Sequence, residues 1–146
     1  MRRGGLLLAL SLILSSCAID TELGLEATIS SARVTVAADN VVTTRIEVEY
    51  RVGEYAEGDR LFQPQVIELY VGDTVVARQV PDVPPGFQSS VSPGQTLTTT
   101  LIGDDTMATD PRTLCGPEVR VLFRWLDASM MEIGMTDAST SDVTCE

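Results

Sequence analysis

The sequence contains no histidine and no lysine. Without imidazole there is no Ser-His-Asp triad, no imidazole general base and no His-ligated zinc. Without a lysine amine there is no Schiff-base chemistry and no P-loop. No apolar run is long enough to span a bilayer: the longest, Leu6 to Leu14, is broken by Ser11 and falls well short of about 20 residues. No repeat of fixed period, no low-complexity tract and no Cys-X-X-Cys occurs. The ten basic residues are all arginine and face twenty-one acids, a formal net charge of −11. Such a chain repels nucleic acid and anionic headgroups, so nucleic-acid partners are excluded and no basic patch assists membrane binding.

What is present begins with the first seventeen residues, MRRGGLLLALSLILSSC. Arg2 and Arg3 precede the apolar run, the charge order of a secretory signal peptide. The run ends in Leu14-Ser15-Ser16-Cys17. This ending resembles the lipobox of bacterial lipoproteins, in which a branched apolar residue and two small residues precede a Cys. The resemblance implies that signal peptidase II cuts before Cys17, whose sulfur carries diacylglycerol and whose new amino group is acylated. Two or three acyl chains, at about 0.8 kcal/mol per buried methylene, anchor a protein stably. The resemblance also implies an address. Ala18 stands where an Asp would favour retention at the inner membrane, so release to the outer membrane is expected, within the cell envelope.

Removal of residues 1–16 leaves 130 residues, one ordinary domain, and loss of Arg2 and Arg3 moves the formal charge from −11 to −13. Residues 17–27, the lipidated Cys and AIDTELGLEA, read as a tether whose ten residues after the Cys reach no more than roughly 35 Å. With Cys17 assigned to lipid, Cys115 and Cys145 remain, and an oxidising compartment favours their pairing. The loop so closed is worth roughly 3–4 kcal/mol on the chain-entropy model. The bond would pin the C-terminus against the loop that precedes the most hydrophobic strand.

Residues 28–146 read as a β domain. Thr28–Val36 carries Ala32, Val34 and Val36 on one face, with Ser30-Ser31 as a candidate bulge. Thr44–Val52 alternates without a break, Ile46, Val48, Tyr50 and Val52 against Arg45, Glu47, Glu49 and Arg51, as a half-buried antiparallel strand does. Gly53–Gln63 reads as a polar loop. Gln65–Val71 and Thr74–Val80 flank Gly72-Asp73, a two-residue hairpin link. The segment Pro81–Gly94, with Pro81, Pro84, Pro85 and Pro93, reads as a long irregular crossing. Gln95–Ile102 is a further strand, followed by a second long loop, Gly103–Pro117. Glu118–Asp127 then places Val119, Val121, Phe123 and Trp125 on one face, a central strand with Trp125 as core anchor. A last strand holds Met131, Ile133 and Met135.

Seven strands with short turns and few helical stretches predict an all-β, antiparallel two-sheet β-sandwich. Their order resembles immunoglobulin-like and fibronectin type III domains, although the Cys…Trp…Cys arrangement of antibody domains is absent. A small open-ended β-barrel is the alternative architecture. Three constellations bear on chemistry. Asp104, Asp105 and Asp110 share one loop and offer hard oxygen ligands for calcium, but their spacing is not that of an EF-hand and solvated acids explain them better. Phe87 lies on the proline-stiffened crossing as a partner contact or as a plug for one end of the sandwich. Carboxylate pairs could support glycoside hydrolysis, but a sandwich of this size leaves little room for a cleft. No catalytic residue and no cofactor is assigned. The expectation is a lipid-anchored binding or structural module, its two long loops contacting an envelope protein or a glycan. The rivals are a small carboxylate-dependent hydrolase and a calcium-dependent adhesion module.

Overall fold

Alternation of apolar and polar side chains decides which face of each strand is buried, and the computed structural model follows it closely. The structure describes residues 24–83, 90–104 and 107–146. Eleven strands occur among them: β1 (Leu25–Val36), β2 (Val42–Val52), β3 (Arg60–Val71), β4 (Thr74–Gln79), β5 (Pro81–Asp82), β6 (Ser90–Val91), β7 (Thr96–Gly103), β8 (Met107–Ala108), β9 (Val119–Asp127), β10 (Glu132–Thr140) and β11 (Val143–Cys145). One sheet runs in the order β11-β1-β2-β7-β5; the other runs β10-β9-β3-β4-β8, with β6 pairing β3. All the pairings are antiparallel except β1 with β11. The seven long strands are the seven expected from sequence. They divide three on four, β1, β2 and β7 against β10, β9, β3 and β4, as in an immunoglobulin-like sandwich whose fourth strand joins the second sheet.

In β2 every even-numbered residue from Val42 to Val52 is buried, including Tyr50. β1 needs a correction of phase to do the same. Ala27 and Ile29 face inward before Ser30, and Val34 and Val36 face inward after it. The register against β2 shifts between Ile29 and Ser31, so Ser30 is the extra residue of a bulge. Without it the second half of the strand would turn its valines to water. The two sheets meet through rings. Tyr50 stacks on Phe62 with centroids 4.0 Å apart, and Phe123 lies edge-on to Tyr50 at 6.4 Å and stacked with Trp125 at 5.8 Å. Trp125 is 4% exposed, as a core anchor should be.

Several expected boundaries move. β1 begins at Leu25, inside the segment read as tether, because Leu25 pairs with Val52. β3 begins at Arg60, so the polar loop ends four residues before Gln63. Phe62 is drawn in to stack on Tyr50, and Pro64 obscures the alternation in sequence. Pro64 is tolerated because β3 there has β9 on one side only: β6 pairs with Arg60 and Leu61, and β4 with Ile67 to Val71. Both long loops contain short strands, β5 and β6 in one and β8 in the other, and the second also holds a 3-10 turn, Pro111–Leu114. The β9–β10 link extends through Met131, which has φ 55°, and β10 starts one residue later.

The chain end closes the open side of the sandwich. After β10 it crosses sheets and runs parallel to β1, pairing Val143 with Val34 and Cys145 with Val36. Cys145 is disulfide-bonded to Cys115, with the two Cα atoms 6.2 Å apart. Arg112 completes the closure: it donates to Asn40 Oδ1 at 3.0 Å, to the Glu146 carbonyl at 2.9 Å and to the Ala37 carbonyl at 3.1 Å. Among the described residues no helix is long and apolar enough to cross a membrane.

Candidate functional site

Two of the three acids singled out for calcium, Asp104 and Asp110, lie among the described residues. Asp104 follows β7, and its Oδ1 accepts a hydrogen bond from Thr43 Oγ1 at 3.4 Å. Asp110 has φ 51° and ψ 65° and caps the start of the 3-10 turn. Its carbonyl accepts from Thr113 N at 3.1 Å and Thr113 Oγ1 at 2.9 Å, so its backbone organises the turn. Among the described residues no group of three Asp, Glu, Cys or His side chains is placed to hold a metal ion. Asp105, Phe87 and Cys17 lie outside the described residues. Cys115 and Cys145 are joined, and their role is the closure described above.

The structure brings together a group that the sequence does not announce. Glu68, in the middle of β3, points away from the core yet is only 1% exposed. Its cover is made of side chains from neighbouring strands rather than of the core itself. Arg78, directly across on β4, donates from Nε to Glu68 Oε1 at 2.8 Å and from Nη2 to the same oxygen at 2.6 Å. Arg124 of β9 reaches Oε2 at 3.3 Å, and Tyr70 donates its hydroxyl to Oε2 at 3.0 Å. Arg120, two residue pairs along β9, lies over the Tyr70 ring at 4.5 Å from its centroid. Leu122, opposite Glu68, is 8% exposed under this cover.

Electrostatics follow from this geometry. Burial alone pushes the Glu68 carboxyl up, but hydrogen bonds from Tyr70 and Arg78, with the charges of Arg124 and Arg78, outweigh it and hold the group below its ordinary 4.5. Glu68 is therefore ionised at neutral pH, with both oxygens engaged. It has no proton to give as a general acid, and its lone pairs are poorly placed for a general base. Tyr70 is shifted upward, first by burial and then by its bond to Glu68. The group is built to orient guanidinium groups, and guanidinium groups recognise carboxylates and phosphates.

Two other features open onto the surface, one of mixed and one of polar lining. At the end where β1 begins, a recess of about 250 Å³ is lined by Leu25, Arg60, Trp125, Met130, Ile133 and Gly134. Its wall is fixed by Asp127, whose Oδ1 accepts from the Ser129 and Met130 amides at 3.0 and 3.3 Å while Oδ2 meets Arg60 at 3.5 Å. On the opposite sheet a groove of about 500 Å³ is lined by Ser31, Arg33, Arg45, Glu47 and Asp142. Arg33 and Arg45 stand directly opposite each other there, a like-charge pair eased by Asp142, 2.9 Å from Arg33.

Glu68 and its partners escaped the sequence reading because their meeting depends on register. The available signal was Arg120 and Arg124 on the outward face of a central strand in a chain that is otherwise acidic. Comparison with protein-family models, with curated proteins and with solved structures found no match.

Proposed function

We propose that this chain is a lipid-anchored protein of the bacterial cell envelope whose sandwich acts as a non-catalytic binding module. The observation that carries the proposal is the ending Leu14-Ser15-Ser16-Cys17 after a charged and then apolar leader. β1 starts at Leu25, so few residues separate Cys17 from the folded domain and the module would be held near the membrane surface. Ala18 favours the outer membrane. The absence of His and Lys from the chain, and the fully engaged state of Glu68, support binding over catalysis.

The test is detergent phase partitioning of the full chain expressed in a bacterium, beside a Cys17→Ser variant. The full chain should enter the detergent phase and sediment with membranes. The variant should stay in the aqueous phase or keep its uncut leader. Equal partitioning of the two forms with the leader cut from both would remove the lipid from the account.

A further inference from the structure

The outer face of the four-stranded part of the larger sheet has a composition unlike the rest of the molecule. Its outward positions on β9 and β4 hold Arg120, Arg124 and Arg78, while the acids there are Glu68 and Asp137 on β3 and β10. This local excess of cations stands on a chain of net charge −11, most of whose acids lie in loops. Directly beside the arginines are large apolar side chains left in water: Met135, opposite Arg124, is 61% exposed, and Ile133, opposite Leu126, is 72% exposed. Met131, in the link just before the same strand, is 77% exposed.

We infer that this face is a docking surface for a protein partner that presents carboxylates beside apolar side chains. The inference rests on the reading of the domain as a binding module and names its surface.

A purely structural role accounts for part of the arrangement only. One guanidinium suffices to neutralise Glu68, and Arg78 supplies it with two N–H groups. Arg120 makes no ion pair or hydrogen bond among the described residues; its guanidinium lies over the ring of Tyr70, which is itself fixed by Glu68. Its donors are pre-positioned at the surface, so little side-chain entropy remains to be lost on binding. Arg124 spends one contact on Glu68 and is 41% exposed. Arg120 and Arg124 are four residues apart on one strand, about 13 Å at strand rise, with Leu122 between them.

The same observations choose among occupants. Arginine, methionine and tyrosine with no lysine is the composition of a protein interface. Exposed Ile133 and Met135 would remain wet against a polyanionic glycan, and neither Arg120 nor Arg124 lines either recess described above. A two-fold contact between copies through this face would bring it against an identical face, so the arginines of each copy, which outnumber Glu68 and Asp137, would find no added carboxylates. A different protein with carboxylates around an apolar ridge meets both halves of the surface.

The test places a photocrosslinking amino acid at position 135 of the full chain, in cells where the chain occurs naturally, and a second one at position 98 on the outward face of β7. Irradiation should give from position 135 an adduct with a different protein, crosslinked through a segment bearing Asp or Glu. Arg120→Glu should lower its yield about tenfold or more, since like charges brought together cost several kcal/mol. Arg45→Glu on the other sheet should leave it unchanged. Arg120→Gln, which keeps the bulk and removes only charge, should give an intermediate loss at unchanged melting temperature. An adduct of twice the chain mass, an adduct to glycan or lipid, or one indifferent to Arg120→Glu would overturn the inference. An adduct from position 98 alone would sink this face and leave the binding module standing. No adduct from either face would sink both.

Discussion

Removing the disulfide gives the most quantitative test of how the fold is held. The perturbation is Cys115→Ser with Cys145→Ser, which opens a loop whose ends are 30 residues apart in sequence. On the chain-entropy model a loop of that length restrains the unfolded chain by about 3.6 kcal/mol at 25 °C. A domain of roughly 120 residues unfolds with an entropy near 0.25 kcal/mol/K, so the melting temperature should fall by about 14 °C. The native tail keeps other ties. Glu146 N donates to the Val36 carbonyl at 3.0 Å and Arg112 donates to the Glu146 carbonyl at 2.9 Å, so β11 should remain paired with β1 in the variant below its melting point. Thermal unfolding by circular dichroism, with amide exchange at Glu146, reads both quantities. The expected result is a large loss of melting temperature with protection at Glu146, whose amide donates to the Val36 carbonyl, retained. A fall of less than about 3 °C would refute the unfolded-state argument, and loss of protection at unchanged global stability would show that the bond holds the tail rather than the domain.

Three further outcomes follow from particular contacts. A Cβ added at Gly134 would overlap the indole atoms Cε2 and Cζ2 of Trp125, so Gly134→Ala should destabilise by about 1–3 kcal/mol in urea unfolding, with a shift in tryptophan fluorescence. Glu68→Gln should cost about 1.5–3 kcal/mol at neutral pH, since it weakens charged hydrogen bonds under cover. The folded carboxyl titrates below its unfolded value, so its contribution is complete above about pH 4.5 and is lost as pH falls through the lowered value; the variant and the parent should converge in acid, and a gap unchanged at pH 3 would contradict the assignment. Arg112→Ala removes donors to the carbonyls of Ala37 and Glu146, and faster amide exchange at Glu146 should report it.

The long strands were legible because each one alternates over enough residues for period two to stand out. β2 is the clearest case, and the bulge in β1 could be placed because Ser30-Ser31 interrupts an otherwise regular pattern. β5, β6, β8 and β11 were not legible, since two or three residues have no period; partners supplied by the fold create them. The start of β3 was missed for a related reason. Leu61 and Phe62 stand between a polar loop and Pro64, and only the Tyr50 ring shows that Phe62 belongs to the core. The Cys115–Cys145 pair followed from counting cysteines. The Glu68 group did not, because Arg78 is ten residues from Glu68 and Arg124 lies two loops further on. Only the register of β3 with β4 and β9 brings them together.

The lipid proposed at Cys17 is directly measurable because the chain has no lysine. Trypsin cuts this chain only at arginine, so the mature protein should yield a first peptide running from Cys17 to Arg33. Mass spectrometry of that peptide should show a diacylglyceryl group on Cys17 with an acylated amino end, and the intact protein should hold no free thiol. A Cys17 that reacts with an alkylating reagent, or a mature chain that begins at any other residue, would contradict the claim.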